Sequence, residues 1–186
     1  MGDRERSDLR EAPPLVVDLD GTLITRDLLR ECLSRLGRER PWWVPLLPVY
    51  LLRGRAAFKD KVAHLVVIAP ARLPYRRQVL EFLRAEHARG RRLILATAAQ
   101  RRSAEAVARH LGLFEAVIAG DPTHTPKGVE KLAAIRAVVG GVFDYMGDAR
   151  TDLPIFQAAR VAILVHPSRR LLTRARASCR VGHVFD

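Results

Sequence analysis

The sequence predicts an α/β protein: a parallel sheet of about five strands flanked by helices, with a small helical cap inserted after the first strand. Three observations predict it. Five short apolar runs are continuous rather than alternating, as in strands buried on both faces. Amphipathic helical patterns, several ending in glycine, separate most of these runs, and strand alternating with helix implies a parallel sheet. Between the first and second runs, however, lie about seventy residues, where a crossover needs about a dozen.

The N-terminus, MGDRERSDLREAPP, is charged and polar, with no apolar stretch before Leu15, so no secretory leader is expected. The first strand is LVVDLD, residues 15–20. A helix is expected over 26–36, with Leu28, Leu29, Cys32, Leu33 and Leu36 on one face and Gly37 as its stop. The run WWVPLLPVYLL that follows is broken by prolines at 45 and 48 and, at about a dozen residues, is far short of the roughly 20 that span a bilayer. A second helical pattern passes through Phe58, Val62, Leu65 and Val66, and a third runs from Pro74 to Gly90 as the crossover. RLILAT (92–97), EAVIAG (115–120), FDYMG (143–147) and VAILV (161–165) are the remaining strands. The helices 101–111 and 128–139 between them are closed by Gly112 and by Gly140 and Gly141. Residues 1–25 and 74–186 thus read as an α/β core and residues 26–73 as the cap.

A chain of 186 residues, 48% apolar and 28% charged, has the composition of one globular domain, which excludes disordered and low-complexity classes. Its two cysteines, Cys32 and Cys179, exclude a disulfide scaffold and a four-thiolate zinc site, and a reducing compartment is the default. The 32 basic and 20 acidic residues leave a net charge of +12, and only four of the bases are lysines. That excess suits nucleic acid, an anionic membrane or a phosphorylated substrate. Nucleic acid is disfavoured, because the arginines are dispersed and no stacking-aromatic motif accompanies them.

The first strand ends in Asp18-Leu19-Asp20-Gly21-Thr22, at the end of the sheet where ligands bind in such folds. Residues two apart on a strand share a side, so Asp18 and Asp20 start close together, and a hard divalent cation would relieve their repulsion. Thr97 closes the second strand, with Ala98 after it. Lys127 follows the third strand in DPTHTPKG, and Asp148 and Asp152 follow the fourth in GDARTD. Carboxylates, a hydroxyl and an ammonium converging on one crevice are suited to a phosphate bound beside Mg2+. The six histidines are scattered and none is given a catalytic role. His124 is the one expected near the site. Lys59 and Lys61 lie in the cap, with no sequence signal that either is desolvated.

DLDGTL, the threonine of LATAA, Lys127 and GDARTD resemble, in order, the four motifs of the haloacid dehalogenase (HAD) superfamily, whose core is Rossmann-like. VVDLDGTLITRDLL, the PWW to LLRG segment, GRRLILATAA, HLGLFEAVIAGD and FDYMGDARTDLPIF are most similar to the HAD-type domain fused ahead of UbiA-type polyprenyl transferases in some bacteria. The resemblance implies a phosphatase in which Asp18 is the nucleophile that becomes an aspartyl phosphate and Asp20 the general acid/base. It implies that Asp18, the backbone carbonyl of Asp20 and Asp148 hold Mg2+, with Asp152 supporting directly or through water. Thr97, the Ala98 amide and Lys127 would bind the phosphoryl oxygens, and Gly21 would allow the tight loop. A carboxylate at position 20 favours ester hydrolysis over dehalogenation, and phosphosugar mutases share the pair.

Three expectations about partners follow. The substrate is a phosphorylated small molecule or a lipid-linked phosphate. Trp42, Trp43 and Tyr50, flanked by Arg38, Arg40, Arg53 and Arg55, form either cap core or a peripheral membrane contact. The protein is cytoplasmic, at the inner face of the membrane if that contact forms, and associates with a UbiA-type transferase. The competing classes are a non-catalytic partner domain of such a transferase and a nucleic-acid-binding protein or polynucleotide phosphatase.

Overall fold

The computed structural model describes residues 12–66, 68–121 and 123–186, so most of the charged N-terminal segment lies outside the described residues. The sheet is parallel throughout and has six strands rather than five. They are β1 (Leu15–Val17), β2 (Leu93–Gln100), β3 (Ala116–Gly120), β4 (Asp144–Gly147), β5 (Ala162–Val165) and β6 (Val181–Phe185), in the order β3-β2-β1-β4-β5-β6. The additional strand, VGHVF, is an edge strand whose central glycine and histidine are exposed, so it lacks the continuous apolar run that marks the buried strands.

Successive residues of β1 serve opposite faces. Leu15 and Val17 pack with Val79 and Leu83 of α4 (Arg77–Ala88) and Val107 of α5 (Arg101–Leu111). Val16 packs with Leu132 and Ile135 of α6 (Gly128–Val139), Ile155 and Phe156 of α7 (Leu153–Ala158) and Leu171 of α8 (Arg169–Ser178). Helices therefore cover both faces, which is why every residue of β1, β4 and β5 is buried. The sequence of strands reverses between β1 and β4, and a crevice opens beyond the carboxyl ends of strands at such a point.

Between β1 and α4 the chain forms helical elements: α1 (Leu28–Glu39), a 3-10 turn (Pro41–Leu46), α2 (Leu47–Leu52), α3 (Arg55–Leu65) and a short 3-10 turn (Pro70–Arg72). Gly37 does not stop α1, which runs on to Glu39 and ends where the proline at 41 breaks it. The crossover helix begins at Arg77, after Pro74, and β2 continues past Thr97 to Gln100. Gly112 and Gly140 do close α5 and α6, each in the left-handed conformation.

Candidate active site

Strand β1 ends at Val17, which pairs with Leu95 of β2 and Met146 of β4, and the amide of Asp18 continues the ladder by donating to the carbonyl of Met146 at 2.9 Å. Period two puts Asp18 on the face of Val16, the face covered by α6. A lysine of α6 accordingly reaches it: the ammonium of Lys131 donates to Asp18 Oδ1 at 2.6 Å and to the hydroxyl of Tyr145 at 2.8 Å. Tyr145 in turn donates to Asp152 Oδ2 at 2.8 Å, which lies 3.8 Å from the same ammonium. Asp18, Lys131, Tyr145 and Asp152 are all buried.

The loop after Asp18 turns tightly, with the amides of Leu23 and Ile24 both donating to the carbonyl of Leu19. Gly21 sits there at φ +80°, a region that L side chains avoid, and a Cβ at this position would run into the carboxylate of Asp148. Asp148 is held against that loop by the hydroxyl of Thr22, 3.1 Å from its Oδ1, while Arg76 grips the carbonyl of Gly21 at 3.0 Å. Asp20 Oδ1 accepts the amide of Leu28 at 2.7 Å, so its carboxylate rests on the first turn of α1, the helix that Asp27 caps.

The charges of this cluster are unbalanced. Burial pushes the Asp20 carboxyl up to about 6 against the pull of the Leu28 amide. Burial also raises Asp18 above the carboxylate range, opposed by Lys131 and reinforced by Asp152 and Asp20. Asp148 is raised by burial as well, with Thr22 opposing and Asp152 adding to it. Burial alone would lower Lys131, but Asp18 and Asp152 outweigh it and hold the ammonium above its ordinary value. One cation thus serves several carboxylates that share a desolvated space.

The structure puts Lys131, rather than Lys127, against Asp18. Lys127 is the extended residue that precedes α6 and is exposed, so it does not share the inward stripe that carries Lys131 and Ile135 at helical spacing. Sequence reasoning missed Lys131 because both lysines sit near the start of the same helix. Two other groups escaped it. Tyr145 reads as strand core, and Lys59, for which the sequence carries no sign of desolvation, lies half-buried at the cap–core seam, donating to the carbonyl of Ala98 at 3.1 Å. Burial and the nearby Lys127 lower the Lys59 ammonium. A cleft at that seam is lined by Asp20, Leu28, Lys59, Ala63, Ala99 and Gln100, among others. Thr97 is buried in β2 two residues before Ala99, and its hydroxyl oxygen accepts the amide of Ala99 at 3.0 Å. His124 is exposed and faces Glu130.

Among the described residues no three acidic, histidine or cysteine side chains form a preformed metal cage. Magnesium does not require one, since it typically takes one or two carboxylates and keeps several waters. Asp18 and Asp148, with the backbone of the Asp20–Gly21 loop against Asp148, supply oxygen donors only, and a hard cation fits that set. The carboxylate of Asp152 is directed instead to Tyr145 and Lys131.

The profile of the haloacid dehalogenase-like hydrolases matches residues 15–157, which include every strand-end group described above. The chain belongs to that family. A curated member-like relative, the uncharacterized protein y4nM of Sinorhizobium fredii, is 36% identical over 160 residues. That match takes in 82% of this chain and 30% of y4nM, so the chain spans less than a third of that relative's length. Among solved structures, this haloacid dehalogenase-like chain resembles a protein of unknown function from Bordetella pertussis Tohama I, with a TM-score of 0.68, 19% identity and 94% and 98% of the two chains covered. It also resembles apo phosphoserine phosphatase, with a TM-score of 0.61, 15% identity and 94% and 93% covered. A phospho-aspartyl intermediate analogue of phosphoserine phosphatase superposes at 0.60, with 16% identity and 94% and 93% covered. At these identities the likeness establishes the α/β fold of the family.

Proposed function

We propose that this hydrolase cleaves phosphate monoesters through an aspartyl phosphate on Asp18. The observation that carries the reading is the pairing of a buried Asp18, fixed by Lys131 at 2.6 Å, with Asp20 two residues on, whose carboxyl is raised to about 6. A nucleophile must be aimed and able to ionise; the bond from Lys131 holds the Asp18 oxygen in place, and its ammonium opposes the upward push of burial on that carboxyl. A general acid must still hold its proton near neutrality, which the burial of Asp20 favours.

In the first step an Asp18 oxygen attacks phosphorus, the phosphorus–oxygen bond to the leaving group breaks, and Asp20 gives its proton to the departing oxygen. In the second, Asp20 takes a proton from a water whose oxygen attacks the phosphorus, releasing phosphate and restoring Asp18. Lys131 neutralises charge on the phosphoryl oxygens in both steps, and Thr97 with the Ala98 amide borders the same space. Asp18, Asp148 and the Asp20 carbonyl would hold Mg2+, which when bound would offset the phosphoryl charge. Gln100, whose amide donates to the carbonyls of Ala56 and Asp121, and Lys59 fasten the cap over the crevice and restrict water.

For the substrate we favour a lipid-linked phosphate, such as a polyprenyl-linked sugar phosphate, over a soluble ester. The similarity of the chain to domains fused to UbiA-type transferases supports this, and so does the greater length of y4nM, which leaves room for a further domain in that relative. The test is a Mg2+-dependent phosphatase screen of soluble sugar phosphates and prenyl-linked phosphates, with Asp18→Asn as control. Hydrolysis that the substitution abolishes is the expected result. Equal activity in the variant would overturn the mechanism, and equal or better turnover of the soluble esters would overturn the lipid assignment. No hydrolysis of any ester would favour a non-catalytic partner domain.

A further inference from the structure

The cap carries an apolar face that its own packing does not use. Within 41–52 the residues Trp43, Leu47 and Tyr50, at helical spacing, are half-buried, and Lys61 of α3 lies over both rings, 4.9 Å from the centre of Trp43 and 5.2 Å from that of Tyr50. These three make the inner face. The outer face is Trp42, Val44, Leu46, Val49, Leu51 and Leu52, whose exposures run from 45% to 88%. Neither the 3-10 turn nor α2 has one buried residue, although nine of their twelve residues are large apolar or aromatic side chains and the other three are proline. Exposed large apolar side chains occur singly on ordinary surfaces, so six within eleven residues mark a contact surface.

Charge decides what it contacts. From Arg40 to Lys59 the sequence has no acidic residue and four bases, Arg40, Arg53, Arg55 and Lys59. Arg40, Arg53 and Arg55 are exposed at the two ends of the apolar segment, and Arg53 lies 5.9 Å from the ring of Tyr50. A short apolar face with tryptophan and arginines at its margins is what lies in the headgroup region of an anionic bilayer. No helix among the described residues is long and apolar enough to cross a membrane, so the contact is peripheral.

We infer that the outer face of residues 42–52 docks on an anionic lipid surface, with Trp42, Leu51 and Leu52 entering the headgroup boundary and the flanking arginines pairing with lipid phosphates. The placement serves the crevice. Gly54 separates α2 from α3, and the first turns of α3 supply Ala56 and Lys59, which touch the carboxyl end of β2. A membrane-bound substrate would thus meet the cap where it borders the site.

The two tryptophans of the chain, Trp42 and Trp43, report directly on this. Vesicles of mixed phosphatidylglycerol and phosphatidylcholine should shift the emission of Trp43→Phe, which retains Trp42, to the blue, and should co-sediment the wild-type protein. Phosphatidylcholine vesicles should do so far more weakly. Arg53→Gln and Arg55→Gln should each weaken sedimentation about fivefold, the factor expected for one basic side chain near an anionic surface. Leu52→Asp, at a position 88% exposed where the fold is undisturbed, should lower it about tenfold or more. Failure of the wild-type protein to bind mixed vesicles would overturn the inference. So would a dimer in solution that Leu52→Asp dissociates, since a second copy would then cover the face. These readouts require no turnover, so they stand or fall separately from the proposed hydrolysis.

Discussion

The two ends of the sheet hold two buried charge clusters of opposite design. At the amino ends of the strands, Arg91 donates to Glu86 at 2.7 Å and to Asp144. Arg160 grips Asp144 through two bonds of 2.9 and 2.7 Å, and Arg89 completes Glu86 at 2.9 Å. Every oxygen of those two carboxylates has a guanidinium partner. At the carboxyl ends, Asp18, Asp20, Asp148 and Asp152 gather near one buried ammonium, and three of the four are pushed up in pKa. The amino-end cluster, in which three guanidinium groups serve two carboxylates, joins α4, β4 and the chain before β2 and leaves no carboxylate oxygen without a partner. The carboxyl-end one leaves four carboxylates to one ammonium, an imbalance that a bound cation or proton would offset and that favours reading it as a site rather than a brace.

That contrast breaks first under substitution. Asp18→Asn should lower phosphatase turnover by about 10⁴-fold or more, the scale on which loss of a nucleophile is felt, while thermal melting stays cooperative with an undiminished midpoint. Asp144→Asn should do the reverse. Leaving Arg91 and Arg160 with a neutral partner should cost about 3–5 kcal/mol of stability, read by urea titration, with the specific activity of the folded fraction unchanged within about twofold. An Asp144 variant that is stable but inactive would erase the distinction between the two ends.

The same contrast separates the two lysines of the α6 start. Lys131→Ala removes the only ammonium in contact with Asp18 among the described residues and should lower kcat by about 10²–10³-fold. Lys127→Ala should alter it by no more than about threefold. A reversed order would return the phosphate-binding role to Lys127.

How legible was this in the sequence? Elements whose signal is local were plain: Gly112 and Gly140 close α5 and α6 because only the backbone at one position has to turn left-handed. Strands buried on both faces, such as Ala162–Val165, were equally plain. The edge strand β6 was hidden because exposure on one side lets glycine and histidine into it. Gly37 misled because a glycine costs a helix only about 1 kcal/mol, which α1 offsets by burying Leu28, Cys32 and Leu36. Within the site, Asp18, Asp20 and Asp148 follow from strand ends alone. Lys131 and Tyr145 depend on which face of β1 Asp18 takes and on which helix covers it, and that is fixed only when the sheet is assembled. In the aromatic cap segment Trp43, Leu47 and Tyr50 turn inward and are half-buried, while Trp42, Leu46, Leu51 and Leu52 are exposed, a division that the run of apolar residues did not show.

The smallest expected effect concerns pH. For Asp20 the folded carboxyl is raised to about 6 from 3.8, so between those values the folded chain holds a proton that the unfolded chain has released. More protons bound in the folded state means that stability falls as pH rises through this window, the opposite of the usual salt-bridged aspartate. The metal-free protein should therefore lose thermal stability between about pH 4 and pH 6 relative to Asp20→Asn. After allowance for solvent screening, the difference is about 1 kcal/mol, or about 2–4 °C in midpoint for a chain of this size. If Mg2+ binds the ionised site as proposed, adding it should raise the midpoint more at about pH 7.5 than at about pH 5, with Asp18→Asn abolishing that difference. Parallel pH profiles for the wild type and Asp20→Asn would mean that the carboxyl is not raised in the folded chain, and the assignment of Asp20 as proton donor would lose its physical basis.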